Sequence, residues 1–392
     1  MRVAIFGGRL QGIEAAYLCS KAGYQSIMVD RDPTAPAKGL VDEFHALNIV
    51  RDSEEIRRIL EHVEVALPAI ENRNALTLLE RICREANIPL MHDNQAFSVS
   101  SDKTASIDFL GRSGIPIPGS WPMCGFPVIV KPSTMSGSTS VYRANSQGQL
   151  EEALAAVRKI DAKPVVQEFI KGPALSLEVV SRMGVGQPLQ ITGLEFDAEY
   201  GCKRVYAPVE ILESVEASMN EIGRKIASRL DLHGLTDVQV LLKGSAPRVN
   251  EINARLPSQT PTVVYQSAGI NMLELLVDLF VNDRLGHVEV QPKRAALYQH
   301  VQVSEGELRL QGEHIMANAS GLRVEMGFMG ADEAITNLGG QRDAKEGVAT
   351  LIVTSSDLQA ARERMAKVVE RMMRQFELER YSDPAPEGGE SS

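Results

Sequence analysis

Residues 235–262, LTDVQVLLKGSAPRVNEINARLPSQTPT, constrain the fold more than any other stretch. Two apolar runs, 236–242 and 248–252, flank a short Lys-Gly-Ser-Ala-Pro turn, which predicts a β-hairpin. Side chains two apart on a strand point the same way, so Asp237 and Gln239 share one face of the first strand. The same rule groups Glu251 with Asn253 on the second, with Arg255 just beyond. Carboxylate and amide oxygens converging across a hairpin make a hard-oxygen site suited to Mg²⁺, and a nearby guanidinium suits a phosphate or acyl phosphate. A surface hairpin with solvated charges is the alternative.

The rest of the chain bears on that choice. At 392 residues it exceeds one ordinary core and predicts two or three domains. Its 44% apolar and 23% charged residues are those of a globular protein. With 41 lysines and arginines against 51 acids, the net charge of −10 argues against nucleic acid or an anionic membrane as partner. Cys19, Cys83, Cys124 and Cys202 are widely spaced, as idle thiols of a reducing compartment would be. No apolar run reaches the ~18 residues of a membrane span, and no signal segment precedes residue 2. The expected location is cytoplasmic.

Residues 2–6 read as a strand, followed by GGRLQG, a helix to about residue 21, and a second strand ending at Asp30. That order opens a doubly wound α/β unit. The glycine spacing is G-G-x-x-x-G, an imperfect dinucleotide fingerprint, and the turn is equally suited to a ligand carboxylate or phosphate. Further units run through residue 86, with Glu71 at the carboxyl end of a strand, where such sheets place ligands; the other reading is a helix-dipole acid. A capped helix begins at Ser101-Asp102-Lys103, and GIPIPGSWP marks a boundary between subdomains. A strand ending in Lys131 runs into Ser133–Ser140, a glycine and hydroxyl loop able to fold over phosphates, though not a Walker loop. A strand ending in Glu168-Phe169-Ile170 offers backbone groups to a flat heterocycle. Composition is β-rich again from residue 293, a helix covers 358–375, and DPAPEGGESS reads as a disordered tail.

Lys103, Lys131 before a Ser/Gly loop, Glu168 in a hinge, and Asp237/Gln239 with Glu251-x-Asn253-x-Arg255 together resemble the ATP-grasp ligases over about residues 1–300. Within them, GGRLQGIEAAYLCSKAGYQSIMVDRDP, ALPAIENRNAL and EINARLPSQTPTVVYQSAGINMLELL resemble the 3-methylornithine–lysine ligases of pyrrolysine biosynthesis. The resemblance implies an α/β fold (α+β overall) in five parts: a Rossmann-like domain at 1–100, a small central subdomain at 101–175, an antiparallel catalytic subdomain at 176–300, an α/β extension at 301–382 and the tail at 383–392. It implies ATP, two Mg²⁺ ions, small amino-acid substrates and a homodimer, no stretch fixing an interface.

Residue by residue, the resemblance gives Lys103 and Lys131 to the nucleotide phosphates and Ser136, Gly137 and Ser138 to the closing loop. Glu168, Phe169 and Ile170 would line the adenine hinge; Asp237, Gln239, Glu251 and Asn253 would hold metal; Arg255, with Lys131, would stabilise the acyl phosphate. Gln11, Gly12 and Glu71 fall to lysine, and Asp197, Glu199, Ser258 and Thr260 to the ornithine partner. Gln239 stands where the family carries glutamate. The family's ribose acid is replaced by Ala174, leaving Glu178 as the nearest substitute. Other amino acids as substrates, a non-catalytic nucleotide sensor, and an NAD(P)-dependent oxidoreductase remain open; the last leaves both lysines and the hairpin without a role.

Overall fold

The computed structural model describes the chain apart from residues 136, 138, 139, 161, 340–345 and 387–392. Its first sheet is parallel, in the order Glu43–Ala46, Gln25–Asp30, Arg2–Phe6, Val65–Pro68. Val3 to Phe6 are wholly buried, as a central strand covered on both faces requires. The glycine turn after it admits no side chain: at Gly7, φ is +116° and a Cβ would lie 2.4 Å from Ala69 O. Helix Leu10–Lys21 then packs against the turn through Gly12, whose Cβ would meet Gly7 O at 2.2 Å. That helix is buried beneath helices Thr260–Ala268 and Met272–Val281, with Asn271 Nδ2 donating to Leu18 O at 2.9 Å.

A small antiparallel sheet, Tyr142–Ala144, Val128–Pro132, Pro164–Glu168, carries helix Gln147–Lys159 on a core of Val128, Val130, Leu150 and Val157. The remaining strands form one large sheet whose path begins with the expected hairpin, Ala246–Asn253 and Gly234–Lys243, and continues through Ala174–Arg182, Val185–Phe196, Cys202–Ala207, Ala295–Ser304 and Gly347–Ser355 to the C-terminal strands. Helix Glu213–Leu230 covers one end and helix Leu358–Gln375 the other.

This continuity changes the domain picture. The expected boundaries at 175 and 300 fall inside strands Ala174–Arg182 and Ala295–Ser304, because the C-terminal strands extend the catalytic sheet. The expected tail begins with residues that are held. Asp383 pairs with Lys203 and with Arg204, the latter at 3.0 Å, and 387–392 lie outside the described residues. All four cysteines are free.

Candidate active site

The hairpin sets the site. Asp237 lies opposite Asn253 and Gln239 opposite Glu251, after which the register slips so that Val240 faces Val249. Asn250 is the extra residue of this β-bulge, unpaired in the ladder and turned outward. Its side-chain oxygen and carbonyl accept from Lys131 Nζ at 3.0 and 3.4 Å, tying the small sheet to the hairpin. Strict alternation hides this role, since a bulge has no period-two signature.

Asp237 is buried and accepts from Ser176 Oγ and, at 3.2 Å each, from Gln239 Nε2 and Asn253 Nδ2. Each amide thereby keeps its carbonyl oxygen for another partner. Glu178 lies directly across on the neighbouring strand, fully buried. Burial raises the pKa of both acids, and the charge of Asp237 raises Glu178 further. Glu178, expected at the ribose, has no exposed surface in this structure and lies against Asp237 behind the hairpin.

The donor set suits Mg²⁺. Asp237, Glu251, Gln239 and Asn253 offer hard oxygens only, and the elevated acid pair gains from a nearby dication. Among the described residues, no three His, Cys, Asp or Glu side chains enclose an ion unaided; a Mg²⁺ ion held here would need further oxygens, as from phosphate and water. Gln239→Glu is expected to preserve or raise activity and to lower the Mg²⁺ concentration needed for half-maximal rate. The metal-free variant should lose about 1 kcal/mol, because a third carboxylate replaces a donor to Asp237. A Mg²⁺ titration of rate, with thermal melts in EDTA, checks both.

The cationic groups converge on the same hairpin. Lys103 Nζ donates to Met135 O at 2.7 Å and pairs with Glu251 at 3.3 Å. Lys131 is buried, and desolvation pushes its pKa down to about 8. Arg255 Nε pairs with Glu71 at 3.1 Å, and Gln11 Nε2 donates to the same carboxylate oxygen at 2.7 Å, linking the N-terminal sheet to the hairpin. A cavity of about 1010 Å³ opens here, lined by Gln11, Glu71, Gly137, Asp237, Gln239, Glu251, Asn253, Arg255, Ser258 and Thr260 among others.

Other expected residues sit differently. Asp197 accepts three backbone amides, from Glu199, Gly201 and Gly312 at 2.9, 2.8 and 2.7 Å, and so fixes a loop instead of binding substrate. Glu199 is exposed and outside the cavity wall, and Gly12 has the packing role given above. In the hinge, Glu168 pairs with Lys243, Phe169 lies under the Arg143 guanidinium at 4.2 Å, and Ile170 is buried. The amides of Glu168 and Phe169 bond to Gly119 and Pro127 carbonyls. Ser136 and Ser138 lie outside the described residues.

Glu14 is a further site residue. From helix Leu10–Lys21 its carboxylate accepts the amides of Gln259 at 3.1 Å and Thr262 at 2.6 Å, capping helix Thr260–Ala268. Gln259 holds φ +77°, a strained conformation for a non-glycine residue, so this acid holds the cavity-lining 258–260 turn in shape. Burial pushes Glu14 up to about 7. The sequence signal was an acid inside the apolar run of IEAAYLC. Glu14→Ala leaves two amides without acceptors and is expected to cost about 2–4 kcal/mol, read by chemical denaturation, with Glu14→Gln costing less.

The chain as a whole is similar to known proteins. A family model described as D-ala D-ala ligase C-terminus matches residues 121–280. The 3-methyl-D-ornithine–L-lysine ligase of Methanosarcina acetivorans is 32% identical over 320 residues, covering 80% of this chain and 84% of that protein. Among solved structures, the ADP complex of N5-carboxyaminoimidazole ribonucleotide synthetase matches with TM-score 0.71 at 15% identity, over 95% of this chain and 97% of that one. The β,γ-ATP complex of biotin carboxylase from Campylobacter jejuni matches with TM-score 0.71 at 16% identity, over 94% and 91%. At such identities these two likenesses concern the ATP-grasp fold.

Proposed function

The chain belongs to the 3-methyl-D-ornithine–L-lysine ligase family of ATP-grasp enzymes, and from that membership we propose that it joins the carboxylate of 3-methyl-D-ornithine to the ε-amine of L-lysine, converting ATP to ADP and phosphate. The observation that carries the reading is the contact of Lys103 with Glu251 at 3.3 Å: the nucleotide-side cation and the hairpin acid share one site.

A free carboxylate does not acylate an amine in water, because oxide is a prohibitive leaving group. Phosphorylation by ATP gives an acyl phosphate, which the lysine amine attacks with release of phosphate. Phosphoryl transfer depends mainly on positioning and charge neutralisation. Lys103 and Lys131 supply fixed positive charge to the nucleotide phosphates. Arg255, oriented by Glu71, faces the cavity where charge grows on the acyl phosphate. Thr134, Met135 and Gly137 line that space, where shielding from water would protect the intermediate from hydrolysis. Mg²⁺, when held by Asp237, Glu251, Asn253 and Gln239, neutralises phosphate charge and aligns the transferred group; a second ion is part of the proposal. The same acids and cations would serve other amino acids, so substrate choice is proposed from family membership.

A dinucleotide oxidoreductase fits less well. Asp30 accepts Gly8 N at 2.7 Å with one oxygen and Asp32 N at 2.8 Å with the other, which leaves its carboxylate engaged where a ribose diol would need it. No single helix among the described residues is long and apolar enough to cross a membrane, and a cytoplasmic location is part of the proposal. The test is the product of ATP, Mg²⁺, L-lysine and 3-methyl-D-ornithine: the mass of the joined amide with one ADP per amide supports the reading. ADP release without amide, or stabilisation by NADPH and not by ATP–Mg²⁺, would overturn it.

A further inference from the structure

Most carboxylates on the cavity wall already have partners. Asp30 holds two backbone amides, Asp32 binds Thr34, Glu71 holds Arg255 and Gln11, and Asp237 and Glu251 belong to the hairpin. Glu313 is different. It precedes the short helix His314–Ala317, in the C-terminal segment whose strands extend the catalytic sheet. One carboxylate oxygen, Oε2, accepts the Cys202 amide at 2.7 Å and is fixed by it. The other, Oε1, lies beside Gly137 at the cavity wall: a Cβ built on Gly137 would stand 3.9 Å from it.

The side chain is 8% exposed, and among the described residues no lysine or arginine forms an ion pair with it. Burial, with Asp197 nearby, raises its pKa; its neighbour His314 is the one offsetting charge. A desolvated acid on the wall of a ligand cavity, bonded to backbone amides and paired with no described lysine or arginine, is a receptor for a cation that arrives with the ligand. Phosphates cannot supply that cation, and the hairpin already provides oxygens for a metal. Both substrates of the proposed reaction are diamino acids, each carrying an ammonium group that does not react. We propose that Glu313 binds a non-reacting ammonium group of a diamino-acid substrate, so that the C-terminal segment selects the substrate. This rests on the reaction proposed above. It also gives the segment a purpose beyond the shared catalytic core, because the D-ala D-ala ligase match ends at residue 280.

Glu313→Gln keeps the shape and an oxygen for the Cys202 amide but removes the charge. Initial rates would be measured for the native chain and the variant, varying in turn ATP, L-lysine and D-ornithine. Analogues lacking one unreacting ammonium group, 6-aminohexanoate for lysine and 5-aminopentanoate and D-norvaline for ornithine, would be compared with their parents. The expected result is a KM about tenfold or more higher for one diamino acid, with the KM for ATP within about twofold. The native preference for that diamino acid over its analogue should collapse in the variant. Glu313→Asp, which keeps the charge on a shorter arm, should recover part of the loss. If the native chain forms the amide and Glu313→Gln leaves every KM unchanged, or raises all three alike, the role of Glu313 is overturned and the reaction stands. If the native chain forms no amide from either diamino acid, the reaction falls and this role falls with it.

Discussion

Lys131→Ala is expected to abolish turnover, by about a thousandfold or more, while the fold persists. The two halves of that expectation have one physical origin. Lys131 ends a strand of the small sheet, is 5% exposed, and among the described residues has Asn250 as its hydrogen-bond partner. Desolvation lowers its pKa from 10.5 to about 8, partly offset by Glu251 and reinforced by Lys103. An ammonium buried this way is unfavourable for folding. The folded state holds the proton less tightly than the unfolded chain, so stability rises as pH climbs from about 8 to 10.5 and the penalty is fully present at neutral pH. The implied cost is on the order of 3 kcal/mol. Lys131→Met, which fills similar volume without charge, should therefore melt at or above the native temperature at pH 7 and still be inactive. A residue retained for stability would show the reverse. Phosphates would draw the proton back, so kcat/KM for ATP should fall as pH rises through about 8 while kcat holds to higher pH. Lys131→Arg, if active, should lack that limb. Near-native rates in Lys131→Ala would remove this lysine from the site.

The polar face of the hairpin was legible because its chemistry coincides with its periodicity. Asp237 and Gln239 alternate on one strand, Glu251 and Asn253 on the next, and the register brings them into opposite pairs. Lys103, Lys131 and Arg255 were legible by order along the chain, and each reaches the hairpin or the acid beside the cavity. What was not legible depends on contacts between distant segments. Glu178 looked available for a ribose until the pairing of its strand with the hairpin buried it against Asp237. Asp197 looked like a polar ligand until a chain reversal brought the Gly312 amide to its carboxylate. Helix Thr260–Ala268 was missed because β-branched Thr262, Val263 and Val264 disfavour helix locally; its start is enforced by Glu14 from the N-terminal domain. The C-terminal strands were recognised as β-rich, but nothing in their composition shows that they continue the sheet that carries the metal acids.

Those distant contacts share a logic. The cavity is walled by three parts of the chain: the glycine turn with Gln11 and Glu71, the hairpin with Arg255, and the segment at Glu313 and His314. Glu71 joins the first two by holding Arg255 and Gln11 together, and Glu14 holds the turn that follows Arg255. A change in any one wall therefore moves the others. The small sheet meets this assembly through polar contacts: Lys131 with Asn250, Lys243 with Glu168, and Lys103 with Glu251 beside it. Such contacts can be exchanged for phosphate oxygens when nucleotide enters, whereas an apolar seam would have to be broken outright.

Glu251→Ala tests that exchange where it matters most. In the structure Glu251 holds Lys103 at 3.3 Å; with nucleotide present, Lys103 is expected to turn to phosphate and leave the carboxylate to metal. Removing the side chain frees Lys103 but deletes one of the two acids facing the cavity from the hairpin. Asp237 and the neutral oxygens of Gln239 and Asn253 then have to balance a dication alone, with Asp237 shared against buried Glu178. The expected result is a loss of kcat of about a thousandfold or more. Nucleotide binding should weaken far less, because Lys103 loses a competitor. Global stability should change little, since Glu251 is 23% exposed and its pairing with Lys103 is of the partly solvated kind worth about 1 kcal/mol or less. Steady-state ADP release, read with thermal shifts by ADP in Mg²⁺ and in EDTA, separates these effects. A lost Mg²⁺-dependent shift with a retained Mg²⁺-independent one places the metal on Glu251. Rates within about tenfold of native would instead mean that the hairpin acids hold Lys103 and nothing more, and that the phosphoryl group is aligned elsewhere.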